Sequence, residues 1–390
     1  MINELKNRHL KIKKILNEQN IDGILILQSI DLLYLTNSMQ PAAAYLPANS
    51  DIIVFYKNAY EKIKSDCPLD LTLIKSVKQI PDILSKLGID YPKVIGFEFD
   101  VLPVGIFNRY KKIFDKSSIV DISSIIRNVK MVKSEYELSL MRKCGAIVNK
   151  VFTIIKDYIK PGISELELAK EMEYLFRKEG HLGPSRVRGF NTEVFCGNVH
   201  SGITGNIPSS LDITLGGQGI HAAFSLGASD KKIEKNEAIV FDYLCNYKGY
   251  QTDTTRTFVI GKLPDILDKH VESLYEIYEL CFDLMKPGSI PEDIYSEVLE
   301  FVRHKGLEDN FMGYKQDRVN FIGHGVGLEL DEFPVIAPRV KQPLEKNMCV
   351  AVEPKLFFPP YGLIGLEDTI IITEDKPEIL SKLDYNIVKI

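Results

Sequence analysis

Tryptophan is absent from the 390 residues, and no apolar run reaches the about 18 residues that a membrane-spanning helix needs. Cysteine is sparse and scattered: Cys67, Cys144, Cys196, Cys245, Cys281 and Cys349 form no C-x-x-C and no close pair. That pattern argues against a disulfide framework or a zinc ribbon and for buried thiols in a reducing cytoplasm. Neither H-E-x-x-H nor G-x-S-x-G occurs, which removes the zincin and serine-hydrolase readings. The run Gly323-His324-Gly325-Val326-Gly327 lacks G-x-G-x-x-G spacing and has no βαβ unit around it, so it is no dinucleotide fingerprint. Basic excess is missing as well. The 48 Lys and Arg face 53 Asp and Glu, for a net charge of −5, which gives no reason to expect nucleic acid or an anionic membrane as partner. The first twenty residues are charged and helical in pattern, unlike a signal peptide.

What the chain does have is concentrated in two stretches. Glu237 to Gly261 reads as a β-hairpin, with two apolar, aromatic and β-branched runs flanking Asn246-Tyr247-Lys248-Gly249. Asp242 and Asp253 are equidistant from the centre of that turn, so an uninterrupted ladder sets them opposite each other, roughly 5 Å apart on one face. Val240 and Leu244 share that face, which is therefore apolar. Two carboxylates held there must share a proton or a cation. A second hairpin, Asn347 to Thr373, places Glu353 and Glu367 seven residues either side of Pro360. Four carboxylates exceed what proton sharing easily neutralises, and His324, between glycines, is the best-placed nitrogen ligand. A set of two Asp, one His and two Glu suits hard or borderline divalent ions such as Mn²⁺. Five such ligands are enough for two ions about 3.5 Å apart, the arrangement of hydrolytic two-metal sites.

The rest of the chain is organised around these hairpins. Residues 1–125 alternate helices with short apolar strands, as in an α/β domain with a mixed sheet. Gln40 to Asn49, with two prolines, reads as a loop there. A boundary follows near Ser123 to Lys133, after which Ser134-x-x-Glu137 and Ser164-x-x-Glu167 read as capping boxes that each start a helix. In residues 126–390 a helix, Lys-Pro-Gly, a second helix and an acid-bearing hairpin occur twice, with the tripeptides at 160–162 and 286–288. This is an internal duplication, which implies a pseudo-two-fold α+β domain with its site between the halves. Of the remaining histidines, His9, His181, His270 and His304 read as structural, while His200 and His221 lie in a glycine-rich stretch where pocket residues often reside.

The runs Asp242 to Phe258, His324 to Pro334, Val352-Glu353-Pro354 and Leu366-Glu367-Asp368 resemble, in order and spacing, the metal motifs of the Xaa-Pro aminopeptidase, prolidase and creatinase family. The resemblance implies a creatinase-like N-terminal domain over 1–125 and a pita-bread catalytic domain over 126–390. It makes Asp242, Asp253, His324, Glu353 and Glu367 the ligands of two divalent metals, with Mn expected and Zn, Co or Fe as alternatives. Glu353 would double as general base, and a cytoplasmic homodimer acting on a small peptide is implied. The N-terminal domain would help cover the active site of a neighbouring subunit. The sequence also departs from the family. Two histidines usual in the peptidases fall at Ser225 and Asp331, a glycine at Leu244, and an arginine at Gly365. His221 could substitute for the first histidine, Arg188 (with Arg186) could clamp a substrate carboxylate, and Asp331, as a catalytic residue, could orient the substrate amine or pass a proton and would favour a cationic substrate group. The expected reaction is hydrolysis of a peptide or amide C–N bond. The departures keep open a creatinase-like hydrolase or lyase acting on a small non-peptide substrate, or a non-catalytic binding protein of the same fold.

Overall fold

The computed structural model describes all residues from Met1 to Ile390, and they separate into two compact units, Met1–Lys130 and Met131–Ile390. The first carries α1 (Ile2–Glu18), β1 (Gly23–Ile26), α2 (Ser29–Thr36), β2 (Ala43–Pro47), β3 (Ile53–Tyr56), α3 (Tyr60–Asp66), β4 (Leu71–Leu73), α4 (Ile80–Lys86), β5 (Val94–Phe97), α5 (Val104–Ile113), β6 (Ser118–Asp121) and α6 (Ser123–Met131). Its six strands form one mixed sheet in the order β4-β3-β2-β1-β5-β6. Leu25, Tyr45, Phe55, Ile95 and Phe97 build its core.

The loop expected over Gln40 to Asn49 is corrected by this sheet. Residues 43 to 47 are buried and form β2, antiparallel to both β1 and β3. Its two alanines and its proline argue against a strand in isolation, but pairing on both sides overrides that local preference.

The second unit contains α7 (Glu135–Ile154), α8 (Glu165–Lys178), β7 (Gly197–Ser201), β8 (Ala238–Tyr247), β9 (Tyr250–Val259), a single turn α9 (Asp265–Asp268), α10 (Val271–Leu284), α11 (Pro291–His304), β10 (Gly323–Gly325), β11 (Glu332–Ile336), β12 (Cys349–Val352), β13 (Lys355–Phe357), β14 (Leu363–Gly365) and β15 (Glu367–Ile371). The duplication is visible in it. Both α7 and α8 begin with the capping box expected of Ser134-x-x-Glu137 and Ser164-x-x-Glu167. Both Lys-Pro-Gly turns close with a glycine at the same backbone angle, φ +88° at Gly162 and +90° at Gly288. The pair α7/α8 packs on β7, β8 and β9 through residues such as Val148, Phe152, Phe176 and Phe241, with Cys144 and Cys245 in the same core. The pair α10/α11 packs against the second hairpin through Ile277, Cys281, Val298 and Val350.

One sheet runs through both halves, β11-β10-β12-β15-β9-β8-β7. Its seam is the antiparallel pair β9 and β15, where Thr255 faces Glu367 and Thr254 faces Asp368. An ion pair locks that seam. Arg256, fully buried, donates from Nη2 to both carboxylate oxygens of Asp368 at 2.9 and 3.0 Å and from Nη1 to the Glu367 carbonyl at 2.9 Å. The Tyr278 hydroxyl donates to the same carboxylate at 2.8 Å.

Breaking a buried, hydrogen-bonded pair by removing one partner leaves an uncompensated charge. Arg256→Ala is therefore expected to lower the unfolding free energy by about 3–5 kcal/mol, read from urea denaturation. His181 yields a pH-dependent counterpart. Its Nδ1 accepts the Asn246 amide N–H at 2.8 Å at the end of β8, and burial holds its pKa below the ordinary 6.5. The unfolded chain therefore takes up this proton more readily than the fold does. The stability contributed by neutral His181 is full above pH 6.5 and declines as pH drops from there through the folded pKa. The loss of stability on going from about pH 7.5 to about pH 5.5 is expected to be smaller in His181→Gln than in the unaltered protein, measured by chemical denaturation at both pH values.

Candidate metal centre

The first hairpin turns at Lys248-Gly249, both with positive φ (+52° and +96°), so Tyr247 pairs with Tyr250. This is the tight two-residue turn whose twist suits antiparallel strands. It lies one position beyond the turn centre expected from the sequence, and the register corrects the direct pairing of the two aspartates. Asp242 faces Thr255, and Asp253 faces Leu244. The two carboxylates remain on one face but stand diagonally. The second hairpin keeps the expected symmetry. Val352 pairs with Asp368 and Lys355 with Gly365, so Glu353 and Glu367 fall opposite each other between two short ladders.

The seam then joins the two hairpins. The Asp253 amide donates to Thr369 Oγ1 at 2.7 Å, Thr369 Oγ1 donates back to the Asp253 carbonyl at 3.0 Å, and Thr255 Oγ1 donates to Glu367 Oε2 at 2.7 Å. His324 enters from β10, which pairs with β12 on one side and β11 on the other, with a bulge between His324 and Gly325. A bulge next to a functional side chain re-aims it. The carboxylates of Asp253 and Glu367 and an imidazole nitrogen of His324 offer atoms all within 4.8 Å of one another.

These three residues fit a divalent cation. Glu367 Oε1 is buried and has no hydrogen-bond partner, an orphaned acceptor of the kind a metal satisfies. His324 Nδ1 lies 3.2 Å from the Gly325 carbonyl oxygen, and a proton placed on Nδ1 by that contact leaves Nε2 with its lone pair. Burial pushes the Asp253 carboxyl well above its ordinary range, and neighbouring Glu367, Asp242 and Glu353 push it further; Glu367 is raised by burial too. Both shifts persist although the Lys355 ammonium acts to lower them, so it is a further cation, beside Asp253 and His324, that would oppose them.

One positive charge is already present. Lys355, two positions beyond Glu353, is completely buried, and its Nζ donates to Glu353 Oε2 at 2.6 Å and to Glu367 Oε2 at 3.1 Å, with Asp242 Oδ2 at 3.5 Å. Burial alone would lower the Lys355 pKa, but Glu353, Glu367 and Asp242 together hold it well above the ordinary lysine value. The sequence reading passed over this residue, although side chains two apart on an extended segment share a side and Lys355 adjoins the quoted Val352-Glu353-Pro354 run. Glu353 also accepts from Thr214 Oγ1 at 2.9 Å and has His324 Nε2 3.5 Å from its other oxygen. The five residues singled out in the sequence thus gather around two centres. Asp253, His324 and Glu367 surround one, while Asp242, Glu353 and the second oxygen of Glu367 surround the ammonium.

The remaining candidates lie at the margins. Asp331 Oδ1 accepts the Arg188 amide N–H at 2.8 Å, and the buried Arg188 guanidinium stands 3.5 Å from Glu329. His221 is exposed, and its Nδ1 accepts the Ala223 amide N–H at 3.0 Å within a tight turn. His200 is fully buried with no partner for either ring nitrogen; burial lowers its pKa, while Glu165 and Asp242 act in the opposite sense. The stretch bearing Thr214 and His221 is tied down by Glu165 in the first turn of α8. This buried carboxylate accepts from Ser201 N and Oγ at 2.7 and 2.8 Å, from the Thr204 hydroxyl, and from Ser229 N and Oγ at 3.1 and 2.7 Å.

Comparison with known proteins agrees with this geometry. Residues 8–132 match the creatinase/prolidase N-terminal domain. The Xaa-Pro dipeptidase of Pyrococcus furiosus is 25% identical over 98% of this chain and all of its own length. The solved Xaa-Pro dipeptidase from Bacillus anthracis superposes with a TM-score of 0.84 at 24% identity, covering 99% of this chain and 100% of that one. The X-Pro aminopeptidase of Thermotoga maritima superposes with a TM-score of 0.79 at 25% identity, over 97% of this chain and 98% of its own. The fold is thus the pita-bread arrangement of these enzymes, preceded by their N-terminal domain. Residues 139–374, the span that holds both acid-bearing hairpins and His324, match metallopeptidase family M24, to which the chain belongs.

Proposed function

We propose that this protein is a divalent-metal-dependent hydrolase of the C–N bond in Xaa-Pro peptides, of dipeptidase or aminopeptidase type. The buried cluster of Asp253, His324 and Glu367 in an M24 chain carries the reading. Relatives named as Xaa-Pro dipeptidase and X-Pro aminopeptidase, matched along nearly their whole length, support the proline-containing substrate. The donor set, two carboxylates and one imidazole, favours manganese. A metal bound there supplies Lewis acidity and makes a water acidic enough to attack at neutral pH.

The chain's own residues then divide the work. Asp253, His324 and Glu367 hold the cation. Glu353 is held from one side by the Lys355 ammonium and Thr214 and takes the proton of the attacking water on its other oxygen, the one that faces His324. Asp331, backed by the Arg188 amide, draws the amino end of a substrate toward the segment that follows His324. Arg188 and His221 complete the substrate-binding residues of this reading.

A second reading, hydrolysis of a small non-peptide amide, is favoured by one observation. With the family's arginine absent at Gly365, the one cation of that strand pair is Lys355, which is buried and engaged by Asp242, Glu353 and Glu367 rather than offered to a substrate carboxylate.

With Mn²⁺ present, the purified protein is expected to cleave Xaa-Pro dipeptides or Xaa-Pro-extended peptides and to leave non-proline peptides intact. Asp253→Asn is expected to lower kcat/KM by at least about 100-fold, since even residues that only support metal ligands cost up to that much. Hydrolysis of small amides without hydrolysis of any proline peptide would select the second reading.

A further inference from the structure

We propose that the ammonium of Lys355 permanently takes the place of one metal ion, so that the folded chain binds a single divalent cation, at Asp253, His324 and Glu367. This rests on the reading of the pocket as a divalent-cation site. It concerns the number of ions and which residue answers the remaining carboxylates.

The geometry around Glu367 points to it. One oxygen of this carboxylate, Oε2, receives Lys355 Nζ at 3.1 Å and Thr255 Oγ1 at 2.7 Å. The other, Oε1, is buried and has no partner. Glu367 is therefore placed as a bridge, with the ammonium on one oxygen, the other without a partner, and Asp253 and His324 grouped with it within 4.8 Å. Asp242 and Glu353, which would serve a second ion, are instead turned to Lys355 at 3.5 and 2.6 Å. A metal bonded to these oxygens at about 2.1 Å would have to share them with an ammonium already within hydrogen-bond distance, cation against cation.

The ammonium has no easy way out. Lys355 is wholly buried, and its stem lies over the strand partner Gly365. A Cβ added at 365 would come within 2.8 Å of Lys355 Cγ, so the space a side chain at 365 would fill is occupied by the lysine. The cation missing from 365 and the cation present at 355 are two halves of one cross-strand pair. Withdrawing Nζ from the carboxylates would leave a charged group inside the sheet without partners.

The test is a metal count with a spectroscopic readout. The full-length protein, stripped with chelator, is incubated with excess Mn²⁺, desalted and assayed for metal per chain by mass spectrometry. Its low-temperature electron paramagnetic resonance spectrum is recorded alongside. One Mn²⁺ per chain with an uncoupled six-line signal is the expected result. In Lys355→Gly a second ion is expected, with the broadened, exchange-coupled signal of two Mn²⁺ about 3.5 Å apart. Two ions in the unaltered protein, none, or a count that stays at one in a folded Lys355→Gly would each overturn the proposal. If Lys355→Gly does not fold, the count in the unaltered protein decides alone. The outcome separates from that of the proposed activity. One bound ion without cleavage of any proline peptide would refute the function and leave this inference standing; two bound ions with cleavage would do the reverse.

Discussion

Asp242, Asp253, Glu353 and Glu367 converge on one pocket inside a β-sheet, where carboxylates cannot remain ionised without a cation beside them. Much of the second unit is arranged around that demand. Both hairpins deliver their acids to the same side of the sheet, His324 is turned in by a bulge, and Lys355 brings a charge from within the chain. The hydroxyls of Thr214, Thr255 and Thr369 occupy hydrogen-bonding positions at these carboxylates or at the backbone that carries them. Cost and use are coupled here. The burial that makes the cluster unfavourable by itself is also what would let a cation in it act strongly.

The distances within the cluster are set less by the hairpins than by the seam between them. Strands β9 and β15 come from the two halves of the duplication, and their register decides which acid of the first hairpin meets which acid of the second. Arg256 spans that register from the opposite side of the strand, gripping Asp368 and the Glu367 carbonyl. Neighbouring residues along β15 thus serve different ends: Asp368 pins the sheet, Glu367 faces the pocket, and Thr369 holds the Asp253 backbone. Alternation of strand faces makes this division possible within three residues.

The fold and much of the pocket were legible because their signals are local or repeated. Capping boxes, the twin Lys-Pro-Gly turns and the mirrored placement of Glu353 and Glu367 all survive in the structure at the residues that suggested them. What was misread depended on partners. The first hairpin turns one position later than its polar residues suggest, because Lys248 joins Gly249 at positive φ, and that single step made Asp242 and Asp253 diagonal rather than opposite. Strand β2 looks like a loop until β1 and β3 flank it. Lys355 escaped notice for a different reason. A lysine is ordinarily a solvated residue, and only the opposing glycine and three converging carboxylates make its burial intelligible.

Glu165 has a consequence for how the pocket can change over time. By accepting from Ser201, Thr204 and Ser229, it fastens both feet of the segment between them to the start of α8. Residues 205 to 228, which bear Thr214 and His221, are thereby anchored at both ends, and between those anchors Thr214 reaches Glu353 and Leu215 packs against Val240 and Leu363. A change of residue at an exposed position such as His221 can therefore alter what meets the mouth of this segment while both of its ends stay fastened, whereas a change at Thr214 or Leu215 is felt by the acid-bearing strands themselves.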